Sequence, residues 1–344
     1  MAAMTTTTAR AGGRADRASS RVQTFLSRHG GMMPTFAAAL ILVLLFIGAE
    51  AFLRGDFIKP LTISNLLINN AYLLVLAVGM TFVILTGGID LSVGSVMAFT
   101  GMLGAKLLAD GLPVAIAIPA MLLGGAAIGL FIGILVQYFG VQPFIASLAG
   151  LFLGRGLAFI VSLNSIKVED PAVLWLQSTR WKLGDWVVTP TGIIALATVA
   201  IAAFVLHLTR FGRTIYAIGG SEQSARLMGL KVGRAKVGAY VISGTCAGLA
   251  GLLLTAYANS SYPRNGIGTE LDAIAAVVIG GTLLTGGRGY VLGSMIGVFV
   301  YGTIKTIINF MGAEQAWMQI IVGALLLLFI VVQRAIVARA EGRR

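Results

Sequence analysis

Residues 67–109 read LINNAYLLVLAVGMTFVILTGGIDLSVGSVMAFTGMLGAKLLA, and the fold class follows from them. Two apolar runs, 67–86 and 91–109, are each long enough to cross the hydrocarbon core of a bilayer as a helix. Between them Gly87 and Gly88 interrupt the first run, and Asp90 stands where the second begins. An acid at a helix N-terminus is favoured by the dipole, and Ser92 and Ser95 are placed to satisfy free amides there. An ion or proton site at Asp90 needs a partner at membrane depth, and the surrounding sequence offers none. Capping is the expected role.

Working outward, the same pattern recurs along the chain. Runs at 35–53, 67–86, 91–109, 113–136, 142–162, 190–208, 236–257, 271–285, 290–309 and 316–337 give ten expected spans. The run 271–285 is short and Gly-rich. The expected fold is therefore an all-α polytopic membrane protein with about ten transmembrane helices over 31–340. Residues 1–30 are rich in Thr, Ala, Arg and Ser without an apolar core, and read as a disordered cytoplasmic tail.

Composition agrees. Of 344 residues 57% are hydrophobic and only 11% charged, less than half the share that a water-facing domain carries. The net charge of +12 suggests nucleic acid only until its placement is seen: the basic residues lie in loops and tails between apolar runs, so membrane lipid is the expected surroundings. Placing both termini inside puts most Lys and Arg on the cytoplasmic side, including the cluster in 210–236, as inside-positive bias requires. The loop 163–189 then lies outside, with Trp175, Trp181 and Trp186 as interfacial anchors. The lone Cys246 excludes a disulfide framework, and neither His29 nor His207 sits in a catalytic or metal-binding constellation. With no G-x-x-x-x-G-K-[ST] loop, ATP hydrolysis is not expected on this chain, and neither a metal nor another cofactor is.

Three features remain as candidate sites. The segment RFGRTIYAIGGSEQSARLMGLKVGRAK (210–236) has Gly219 and Gly220 to break one helix and Ser221 to cap a short second one. Ala225, Leu227 and Met228 give that second helix an apolar face, Glu222 and Arg226 form an i,i+4 pair, and Gly229 ends it. The residues allow two readings: a docking helix for a partner's groove, or a solvated loop whose charges set topology. Next, polar groups at membrane depth (Asn69, Asn70, Gln142, Arg155, Asn259, Asp272 and Asn309) are costly in lipid and default to function, although amides also bond neighbouring helices. Neutral amides suit an uncharged polyhydroxylated substrate. Tyr257 and Asn259, with Ser260, Ser261 and Tyr262, cluster at one span's outer end, as substrate entry or as an interfacial belt. Finally, LTGGIDLSVGS (85–95) has a partial repeat in LTGGRGYVLGS (284–294), which makes Gly87, Gly88, Asp90, Gly286 and Gly287 structural helix breaks. Glycines at four-residue spacing, such as Gly125, Gly129 and Gly133 or Gly244 and Gly248, mark close-packed helix faces.

The strings VGMTFVILTGGIDLSVGSVMAFTG (78–101), RFGRTIYAIGGSEQSARLMGLKV (210–232) and ELDAIAAVVIGGTLLTGGRGYVLGSMIG (270–297) resemble the permease subunits of bacterial ABC sugar importers of the ribose/xylose/galactoside group. The run VQPFIASLAGLFLGRGLAFIVS (141–162) looks closest to the galactofuranose-type branch, although Pro263 and Arg264 stand where that branch is expected to be more apolar. The resemblance implies a subunit in the bacterial inner membrane that moves a monosaccharide into the cell. It further implies separate ATP-binding subunits, a second permease in a homo- or heterodimer, and a periplasmic or lipid-anchored sugar-binding protein. It makes Gly219, Gly220, Glu222, Ala225, Arg226 and Gly229 the ATPase-coupling residues. Asn69, Asn70, Gln142, Arg155, Tyr257 and Asn259 are the candidates for the substrate path. An ion-coupled secondary transporter is the alternative, and a membrane-embedded enzyme would need an acid or His cluster that the sequence lacks.

Overall fold

The computed structural model describes residues 33–52, 57–312 and 314–341, so the expected tail at 1–30 lies outside the described residues. The chain opens with α1 (Met33–Phe52), then α2 (Pro60–Asn69) and α3 (Ala71–Leu85), a pair bent by 57°. Next come α4 (Val93–Ala109), α5 (Val114–Tyr138) and α6 (Pro143–Val161). The connecting segment carries a strand β1 (Ile166–Lys167), a helix α7 (Pro171–Ser178) and a hairpin of β2 (Trp181–Leu183) with β3 (Trp186–Val188). After it run α8 (Pro190–Leu208), α9 (Arg210–Gly220), α10 (Glu222–Leu227) and α11 (Val232–Ala258). Strand β4 (Ser260–Ser261) pairs with β1, and α12 (Thr269–Ile279), α13 (Val291–Phe310) and α14 (Gln315–Glu341) follow.

The fold class stands, but the count of ten spans is not reproduced. Among the described residues six helices are long and apolar enough to cross a membrane: α1, α5, α6, α8, α11 and α13; the bent α2–α3 pair makes a seventh. The expected spans at 91–109 and 316–337 fall in α4 and α14, whose apolar stretches, Val93–Ala109 and Ala316–Val331, are shorter. The run 271–285 corrects most: it is helical only to Ile279, then non-helical through the glycines up to Tyr290.

Local chemistry sets the ends. Pro begins α2, α6, α7 and α8, where its missing N–H costs nothing and its φ suits the first turn. Thr189 accepts a hydrogen bond from the Gly192 amide at 3.2 Å to cap α8, and Asp170 accepts from the Ala172 amide at 2.8 Å to cap α7. The bend at Asn70 is stabilised by its side chain, whose Nδ2 donates to the Leu66 carbonyl at 2.8 Å. Trp175 and Trp181 meet edge-on at 6.0 Å beside the exposed hairpin, which is tied to the bundle where the Val187 amide donates to Ser64 Oγ at 3.0 Å.

The core is centred on α3, buried on every side, with α5 and α11 packed closely together nearby. The glycine stripes explain that approach. A Cβ on Gly125 would strike the Gly244 carbonyl, one on Gly129 the Tyr240 carbonyl, and one on Gly248 the Met121 carbonyl. Lipid tails are as apolar as Leu, so such helices associate through close backbone packing rather than hydrophobic burial.

Candidate functional site

The two related glycine breaks meet. The Gly287 amide donates to the Leu85 carbonyl at 3.0 Å, and Thr81 Oγ1 and Ser294 Oγ share a hydrogen bond at 2.7 Å just behind. Gly287 adopts φ +73, a left-handed conformation that brings its backbone against Gly219 at low cost only without a side chain. Gly219, near the end of α9, is wedged into this joint: a Cβ there would collide with both the Leu85 carbonyl and the Gly287 amide. Gly220, one residue on, has open space beside it. Tyr216 adds a second tie, its hydroxyl donating to the Gly289 carbonyl at 2.7 Å, and its ring stacks on His207 at 6.1 Å. Three stretches distant in the sequence, 85–88, 216–220 and 286–289, thus form one junction.

Asp90 sits just beyond it and is fully buried. Its Oδ1 accepts from the Ser92 amide at 3.0 Å and from Ser92 Oγ at 2.6 Å, and its Oδ2 accepts from Ser243 Oγ on α11 at 2.8 Å. Asp90 thus bonds the N-cap residue of α4, Ser92, rather than a first-turn amide, and ties it to α11. Ser92 and Ser95 depart from expectation: the Ser92 hydroxyl donates to Asp90, and the Ser95 hydroxyl donates to the Ser92 carbonyl.

The stretch after Gly219 follows the sequence reading. Ser221 Oγ accepts from the Ser224 amide at 3.3 Å, α10 begins at Glu222, and Gly229 takes φ +73 to turn the chain. Glu222 binds Arg226 at 2.6 Å and also Lys236 on α11 at 2.7 Å, a partner that helical spacing did not disclose. Burial works to raise the Glu222 carboxyl, but hydrogen bonds from Lys236 and Arg226 outweigh it and hold the group below its ordinary value. Ala225 is buried against the bundle, whereas Leu227 and Met228 are 84% and 67% exposed. The apolar face expected of α10 is therefore split, with one residue anchoring the helix and two projecting from its end.

The six substrate-path candidates are not gathered into one constellation. Arg155 donates from Nη1 to the carbonyls of Pro263 at 2.6 Å and Asn265 at 2.8 Å, with Glu270 acting on it electrostatically. It thereby holds the segment 262–268 folded into the bundle, where Gly266 lies against Gly94 and Met97. Asn70 is buried against Gly302, and Asn259 ends α11 in the left-handed conformation at φ +52. Asn69 and Tyr257 are exposed, and Gln142 is exposed at the start of α6 without a capping bond. Sequence reasoning gave no role to Tyr72 or Tyr301. Both act electrostatically on Asp272, Tyr301 from α13 and Tyr72 from α3. The signal was there in part, since Asp272 is an acid at membrane depth; the tyrosines read as ordinary members of apolar runs.

Together these features describe a multi-span helical bundle with glycine breaks and a short, partly exposed helix at its surface. The chain belongs to the family described as branched-chain amino acid transport system / permease component, which matches residues 62–330. It is 46% identical over 291 residues to the inner membrane ABC transporter permease protein YjfF of Escherichia coli K12, covering 84% of this chain and 88% of that protein. It is 45% identical to the fructose import permease protein FruG of Bifidobacterium longum, covering 89% of this chain and 92% of that one. It is 38% identical to the ribose import permease protein RbsC of E. coli K12, covering 86% and 92%. The ABC permease reading therefore stands over the ion-coupled carrier, and the chain is a non-enzymatic, multi-pass membrane component of transport.

Proposed function

We propose that this chain forms one half of the membrane pathway of an ATP-driven monosaccharide importer, with a galactofuranose-like sugar, ribose or another pentose or hexose as cargo. Relatives named for fructose and ribose import, similar over most of their length, support a sugar over the amino acids of the family description. Both termini lie in the cytoplasm. The segment 210–236 docks on a separate ATP-binding subunit, with Leu227 and Met228 entering its groove. A second permease, identical or different, completes the pathway, and a periplasmic or lipid-anchored binding protein delivers the sugar.

The single observation that carries this reading is the built joint between the exposed α10 tip and the two glycine breaks. ATP binding outside the membrane domain can shift the conformational equilibrium only if it favours one arrangement of that joint. The test is uptake of radiolabelled ribose, fructose and galactose by proteoliposomes holding this chain with its ATP-binding subunit and binding protein. Uptake should require internal ATP and survive a protonophore. Uptake by this chain alone, or its collapse when the proton gradient is removed, would refute the proposal.

A further inference from the structure

Between α12, α13 and α14 lies a cavity of about 460 Å³, open on one side, and its lining is of two kinds. Asp272 and Tyr301 supply a carboxylate and a phenol, and Gln319 adds an amide. Leu271, Met318 and Val322 supply apolar wall. Lys305 and Tyr72 lie close enough to act on Asp272 electrostatically without lining the cavity. A carboxylate and an amide opening onto lipid would be expensive, so in the importer proposed above the open side would meet the second permease or the path between the two.

We infer that this cavity is a binding station for the sugar on its way through the membrane, an inference that rests on the importer reading above. The chemistry matches a neutral polyhydroxylated ring. Asp272 has lone pairs on both carboxylate oxygens for a pair of donating hydroxyls, with the Tyr301 phenol lining the same cavity. Gln319 can both donate and accept, and the Met318 and Val322 wall covers a C–H face. The volume admits a monosaccharide with a few waters. Such a site binds its cargo loosely enough to release it, because most of the wall makes no directional bond.

The test uses the complete reconstituted complex carrying Leu271→Cys; Leu271 is 60% exposed at the cavity, while the native Cys246 is buried. A charged methanethiosulfonate reagent should modify the new cysteine, and whichever of ribose, fructose or galactose the complex imports should slow that modification. Asp272→Asn should lower uptake about tenfold, the effect of losing charge-assisted hydrogen bonds, with assembled complex recovered in normal yield. Gly323→Leu is a second, independent variant: nothing lies within 4 Å of a Cβ there, so the side chain fills the cavity without strain and should block uptake. Modification only by a lipid-soluble maleimide, or at a rate the sugar leaves unchanged, overturns the station while the importer stands. Near-normal uptake by Gly323→Leu does the same. Absence of any sugar uptake by the unaltered complex sinks the importer reading and this inference with it.

Discussion

Gly287 donates its backbone N–H to the carbonyl of Leu85, although the two belong to helix breaks at opposite ends of the sequence, and Gly219 fills the angle between them. The contact joins the end of α9, within the proposed docking segment, to the breaks that follow α3 and α12. Any displacement of α9 is passed directly to the breaks between α3 and α4 and between α12 and α13. Soft contacts would absorb such a movement; backbone packed on backbone does not.

Gly219→Ala therefore tests the joint. Its methyl meets the Leu85 and Gly287 backbones, and overpacking of this kind costs about 1–3 kcal/mol. We expect a lower thermal unfolding temperature in detergent and loss of coupled uptake. Gly220→Ala, with open space around it within this chain, should unfold at the temperature of the unaltered protein. Equal behaviour of the two variants would remove the joint from the mechanism.

Glu222→Gln breaks both links of the α10 brace. The Arg226 pair is largely exposed and adds little, whereas Lys236 is only 17% exposed and carries most of the effect, about 1 kcal/mol in all. The sign with pH follows from the depressed Glu222 carboxyl. Its contribution is complete above the ordinary value of 4.5 and is lost as the pH falls through the lower folded value. Differential scanning fluorimetry across that window should show the unaltered protein and Glu222→Gln converging at low pH. A constant gap between them would mean that the brace contributes nothing.

Gly229→Ala places a side chain at φ +73, at a cost of about 1 kcal/mol. Insertion into the membrane should be unaffected, while stimulation of the ATPase by the binding protein should no longer drive uptake. Intact coupling would show that the turn after α10 need not hold its shape.

Leu227→Cys and Arg180→Cys should label from opposite faces of the membrane with an impermeant maleimide. Cys246 is buried, so the background is low. Labelling of both from one face would break the proposed orientation and with it the docking role of α10.

Arg155→Ala leaves the carbonyls of Pro263 and Asn265 without their donor, each a loss of about 1–3 kcal/mol if water cannot enter. We expect faster proteolysis within 259–268 than in the unaltered protein. Arg155→Lys, with a charge but no planar fork, should fall between the two.

How much of this was legible along the chain differs by element. The α9–α10 boundary was readable at Gly219-Gly220 and Ser221, because capping is a matter of neighbours. The brace to Lys236 was only half readable, since its Arg226 arm has helical spacing and its Lys236 arm spans a turn. The shortness of α12 was hinted at by the glycines of 280–287, but an apolar run alone does not say where its helix stops.

Membrane residence, the positions of most helices, their capped ends and the glycine faces were determined by the sequence itself, because each depends on residues within a few turns of one another. The meeting of the two breaks around Gly219, the carbonyl partners of Arg155, the Ser243 bond of Asp90 and the Asp272–Tyr301 cavity were decided only by tertiary structure. The reason is physical. Helices that are apolar on every side carry no polar face to tell which way they turn, so their partners are chosen by backbone fit.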